Sequence, residues 1–179
     1  MNNCDGSLNE KLVIAATNFA RKLLKIDDAL WVFINDGDMF KSINHSGLFE
    51  KEIFVIRYNR EWLRTAQTDR IIKCAFHETF HAVQYSAVIE YGMGVKNNLF
   101  SDDEMIQMIH EFKAENYDDS SDKWGTHLVE QQAEGFAQEL HEKYINQFKN
   151  IEDLSIRTMK CIRTLNKLIN HVTFEDDRL

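Results

Sequence analysis

Five consecutive residues, His77-Glu78-Thr79-Phe80-His81, set two imidazoles four positions apart with a carboxylate between them. On an α-helix, positions i and i+4 share one face, so both rings can converge on one cation while Glu78 stands beside it as a base. Imidazole nitrogen suits zinc, and this H-E-x-x-H pattern is chemistry for activating water: a Lewis acid polarises it and a carboxylate takes its proton. The pattern has this meaning only on a helix. From Thr68 to about Glu90 there is neither Pro nor Gly, and Ile72, Ala75, Phe76, Thr79, Phe80 and Val83 recur at helical spacing as an inward stripe.

Catalytic zinc commonly takes three protein ligands and keeps a fourth position for water. A second helix is predicted around Thr126 to Ala137, with Val129, Ala133, Phe136, Ala137 and Leu140 facing inward and Glu130 and Glu134 on one shared face. Small residues at Ala133, Gly135 and Ala137 would let it approach the first helix closely. Glu130 is therefore the expected third ligand. His127, three residues earlier, is either an alternative ligand or a donor that steadies the charged intermediate; the plainer reading is a surface residue at a helix start. Cys74, one turn before His77, reads as a small buried hydrophobe. Tyr85, Tyr91, Tyr117 and Tyr144 are candidate oxyanion donors that nothing in the sequence ranks.

With the motif helix followed by Glu130-x-x-Ala133-Glu134-x-Phe136-Ala137, the chain resembles the gluzincin metallopeptidases, and within them the small ImmA/IrrE-like, or minigluzincin, branch. The resemblance covers about 31–140. It implies a zincin-like fold, Glu130 as zinc ligand, and Glu134 as the polar residue that supports the site from behind the ligands. It also implies a regulatory peptidase that cleaves one particular protein partner.

The 179 residues are 44% hydrophobic, enough for one sizeable core, and no composition break divides them. A single domain over 1–179 is expected, with a core at about 8–149 and a C-terminal helix at about 151–171. The formal net charge of -8 opposes wrapping of a phosphate backbone, so nucleic acid is not an expected partner. No apolar run approaches the length that spans a bilayer, and no basic, then apolar, leader stands at the N-terminus. Three scattered cysteines, Cys4, Cys74 and Cys161, fit reduced thiols better than a disulfide framework. The expectation is a soluble cytoplasmic protein of unspecified oligomeric state.

These residues need positioning elements. A first helix is predicted at about Leu8 to Lys25 behind the capping box Ser7-x-x-Glu10. Strands follow at Ala29 to Asn35, Leu48-Phe49 and Ile53 to Tyr58, read as a three-stranded meander with a candidate fourth strand near Phe40. Then come a short helix near Glu61 to Thr65, the motif helix, a helix opened by the capping box Ser101-x-x-Glu104, the Glu130 helix to about Phe148, and a last helix beginning after Asn150. That last helix would carry Ile156, Met159, Ile162, Leu165, Ile169 and Val172 inward. The fold class is α+β and helix-rich, its small sheet packed on the motif helix. The expected function is zinc-dependent hydrolysis of a peptide or protein substrate, with Glu78 as general base. The competing class is a non-catalytic zinc-containing interaction or sensing protein on the same scaffold. The strand at Ile53 to Tyr58 is a candidate to pair with an extended peptide, provided it lies at the sheet edge.

Overall fold

The computed structural model describes residues 8–26, 30–96, 98–113, 115–116 and 124–155, the last of these with side chains at 125–148. In chain order they form α1 (Leu8–Leu23), β1 (Trp31–Asn35), β2 (Gly47–Glu50), β3 (Val55–Asn59), α2 (Arg60–Thr65), α3 (Thr68–Gly92), α4 (Asp102–Glu111) and α5 (Leu128–Ser155). The architecture is α+β, helix-rich with a small three-stranded mixed sheet.

The apolar stripe of α1 buries Leu12, Ala15, Ala16 and Phe19 against α3 and the sheet. At 25 residues, α3 is about 37 Å long at 1.5 Å per residue and forms the spine of the molecule. Where α1, α3 and α5 meet, Phe19 lies against Phe76, Tyr144 and Phe148, with ring centroids 5.0 to 6.2 Å apart. Burying each of these phenylalanines contributes roughly 1.5–3 kcal/mol, and together they lock the two long helices to α1. Ala133 and Ala137 are fully buried on α5, which lets it lie close to α3. Gly135 does not take part in that approach: it is exposed, and a Cβ there would meet nothing within 4 Å.

The sheet corrects the expected meander. Its order is β1-β3-β2, with β1 parallel to β3 and β2 antiparallel to it. β3 is thus the central strand, not an edge, and it buries Val55, Ile56, Tyr58 and Asn59. Tyr58 donates its hydroxyl proton to Thr17 Oγ1 at 2.8 Å, since the Thr17 hydroxyl itself donates to the Val13 carbonyl. β3 begins two residues later than expected because Phe54 adopts φ 56°, outside the extended region, in the turn after β2. Gly47 is required at the start of β2: a Cβ there would stand 2.9 Å from the Tyr58 ring and 3.0 Å from the Arg57 carbonyl. No strand forms near Phe40; Gly37–Met39 is a 3₁₀ turn instead.

Two junctions fix the surroundings of α3. Asn59, fully buried, caps α2 by accepting from the Glu61 and Trp62 amides, while its Nδ2 donates to the carbonyls of Ser42 and His45. One side chain thereby ties the 40–46 loop to the sheet and to α2. The Ser101/Glu104 capping box opens α4 as expected. The break expected after Asn150 is absent, and α5 runs through it to Ser155. The inward stripe expected beyond that, and Ser7 of the first capping box, lie outside the described residues.

Candidate metal centre

His77 and His81 project from the middle of α3, and Glu130 from the first turn of α5, into one buried spot. Their relative exposures are 8%, 8% and 3%, so each has left water for the others. His77 Nε2 and His81 Nε2 are 3.0 Å apart; Glu130 Oε2 is 3.1 Å from His77 Nε2 and Oε1 is 3.5 Å from His81 Nε2. Donors arranged tetrahedrally at the usual zinc distances of about 2.0–2.1 Å would be separated by about 3.4 Å. These three side chains could hold a metal ion, and two imidazoles with one carboxylate are a fitting donor set for zinc.

The tautomer of His81 can be read from its neighbours. Gln84 Nε2 lies 3.0 Å from both the Val129 carbonyl and Gln132 Oε1, two acceptors, which turns Gln84 Oε1 toward His81 Nδ1 at 2.9 Å. Nδ1 must then carry the proton, leaving the Nε2 lone pair for the cation. The chain continues as Gln132 Nε2 donates to Glu104 Oε1, on the residue that completes the α4 capping box with Ser101. Sequence reasoning missed Gln84 and Gln132, although Gln84 stands three residues after His81, where a helix places a neighbour. Glu134 stands 3.7 Å from His77 Nδ1, on the far side of that ring from Glu130. Each histidine therefore has a partner behind it, a buried amide for one and an exposed carboxylate for the other.

Charges in the cluster respond to one another. Burial works against a charged His77, but Glu130 and Glu134 outweigh it and raise its pKa to about 10. Burial likewise pushes Glu130 up, yet the two imidazoles prevail and hold it well below the ordinary carboxylate range. The cluster thus stabilises positive charge at its centre. Glu78 is buried at 6% exposure, and the loss of water raises its pKa, with His77 and His81 working against that rise. A carboxylate with raised basicity beside a cation site is suited to proton transfer.

A cleft of about 1140 Å³ opens over the cluster, lined by His45, β2, Trp62, Arg70, Lys73, Cys74, Phe112 and Glu111 among others. The α3 wall supplies the two histidines. β2, an edge strand, also lines the cleft. His45 enters this cleft on the 40–46 loop, its ring edge-on to Phe40 at 5.5 Å and its backbone held by Asn59. No periodicity links His45 to the motif helix, so sequence had no signal for it.

His127 does not join the metal ligands. It lies 3.9 Å from Glu111 Oε1 and is not part of the cleft lining. The tyrosines are also occupied elsewhere: Tyr85 packs between Phe49 and Phe112, Tyr91 belongs to the smaller apolar cluster around Met105 and Met108, and Tyr144 packs on Phe19. Tyr117 lies outside the described residues. Cys74 lines the cleft half-buried, and burial pushes its thiol pKa up, away from thiolate chemistry. Among the described residues no helix is long and apolar enough to cross a membrane. No family model, curated protein or solved structure matches the chain.

Proposed function

We propose that this protein is a zinc-dependent peptidase of zincin-like fold. The observation that carries the reading is the convergence of His77, His81 and Glu130 next to a buried carboxylate, Glu78, that takes no part in the ligand set. Pure metal storage has no use for such a group, whereas hydrolysis requires one. His77, His81 and Glu130 would hold the zinc, which would supply Lewis acidity and activate a water for attack.

The remaining work belongs to the chain itself. Glu78 accepts a proton from the attacking water and passes it to the leaving amine; its burial raises its basicity for the first step and keeps it next to the reacting atoms for the second. Gln84 and Glu134 hold the two imidazoles in orientation. β2 offers unpaired backbone groups along the cleft, so an extended peptide can add to the sheet there, a role the central β3 cannot fill. His45, facing the same cleft, is the imidazole available to donate to the oxyanion.

The test compares the parent with Glu78→Gln, both loaded with zinc, by searching for new protein termini in cells expressing each. The variant should retain zinc and fold while cleavage falls by about 10² to 10⁴-fold, the usual worth of general acid–base catalysis. An unchanged set of termini in the two strains would leave the non-catalytic interaction protein as the better reading.

A further inference from the structure

Two turns before His77 on α3, the cleft contains a cation, Arg70, that is paired with no carboxylate among the described residues. Arg70 lines the cleft with its guanidinium 5.9 Å from the Trp62 ring centroid, and Trp62 itself is buried at 6% exposure. Among the described residues Arg70 forms no ion pair, although the chain carries a formal charge of -8. Of the acidic groups lining the same cleft, Glu78 and Glu130 stand at the histidine cluster and the other four are engaged elsewhere. Glu50 holds Arg57 at 2.7 Å, Glu52 holds Lys51 at 3.2 Å, Glu111 accepts from two backbone amides of α5, and Glu134 faces His77. Nearby Lys73 donates to Gln138. A guanidinium over an indole face is held there by cation–π attraction, and its planar N–H fork matches a carboxylate.

We infer that Arg70 on Trp62 forms an anion-accepting subsite, which recognises a carboxylate of the substrate about three residues from the bond to be cleaved. The spacing follows from geometry. Arg70 and His77 are seven helical positions apart, about 10 Å at 1.5 Å per residue, and an extended peptide covers that span in about three residues at 3.3 Å each. The carboxylate comes from an Asp or Glu side chain or from a free C-terminus. The inference rests on the peptidase reading for the word substrate, but the subsite binds whether or not cleavage follows.

Decapeptides carrying Glu or the isosteric Gln two to four residues from their centre, each with a free or amidated C-terminus, serve as probes. Zinc-loaded Glu78→Gln protein measures binding by fluorescence anisotropy, and the parent measures cleavage. Carboxylate peptides should bind about tenfold more tightly than their neutral counterparts, the scale of one partly solvated charge-assisted pair. Adding Arg70→Gln should abolish that preference, and Arg70→Glu should shift it to Lys-containing peptides, with zinc content and circular dichroism unchanged. A preference that follows only the free terminus assigns the carboxylate to the chain end. A carboxylate preference that survives Arg70→Gln, or its absence in the starting protein, overturns the subsite. Cleavage without acidic preference removes the subsite and spares the peptidase reading; selective binding without cleavage does the reverse, and neither binding nor cleavage overturns both.

Discussion

Two buried carboxylates flank the start of α5, and each has a histidine beside it: Glu130 faces His77 and His81, while Glu111 faces His127. Glu111 accepts from the backbone amides of Leu128 and Val129 at 3.0 Å each and from Gln107 Nε2 at 2.9 Å. Those donors satisfy it and close the open N-terminus of α5, which helix geometry leaves with unpaired N–H groups. Its histidine stays at 3.9 Å. Glu130 instead points both oxygens at imidazole nitrogens that also face each other. The same pair of residue types thus serves a helix cap in one place and a candidate cation site in the other. The orientation and supply of donors, not composition, decides which.

The largest effect within this contrast is expected from Glu130→Ala, which should lower zinc affinity by more than about 100-fold, since a direct ligand is lost where even outer partners are worth about 10–100-fold; competition against a chromophoric chelator measures it. Retention of zinc by that variant would move the centre toward Glu134 or His127. Gln84→Leu should cost about 10-fold in the same titration, because His81 loses the acceptor that fixes its tautomer. Glu134→Gln should cost less than Gln84→Leu, given that Glu134 is exposed and stands 3.7 Å from its ring.

Glu111→Ala probes the capping carboxylate in its turn. It should leave zinc stoichiometry intact but lower the stability of the zinc-free protein by about 1–3 kcal/mol in urea unfolding, because two amides and Gln107 lose their acceptor. His127→Ala should have the smallest effect on the metal, with zinc affinity unchanged within about twofold, since the ring lies beside Glu111 and outside the cleft lining. A strong loss of zinc in His127→Ala would erase the distinction between the two carboxylates.

Much of this organisation is legible in the residues alone. The motif helix, the inward stripes of α3 and α5, the Ser101/Glu104 cap and the shared face of Glu130 and Glu134 all follow from helical spacing, which acts over three to eight residues. Other features are not legible this way. The position of β3 between β1 and β2 reflects pairing across the chain, so the expected edge role passed from β3 to β2. Gly135 looked like a contact residue by size alone, but its helical phase points it to solvent. His45 and Trp62 reach the cleft through a loop held by Asn59 and through a short helix that the same residue caps.

The sequence by itself determined which residues carry side chains able to ligate a metal and which face of each helix carries them, because side-chain type and a 3.6-residue period are local properties. Tertiary structure alone decided that two helices separated by a long stretch of chain bring His77, His81 and Glu130 within 4.8 Å of one another. It also decided that His127 turns to Glu111, and that Arg70 and His45 share the cleft with the cluster. The physical reason is that convergence depends on the packing of Ala133 and Ala137, on the Phe19–Phe76–Phe148 core, and on strand order, which arise only when distant segments bury surface together.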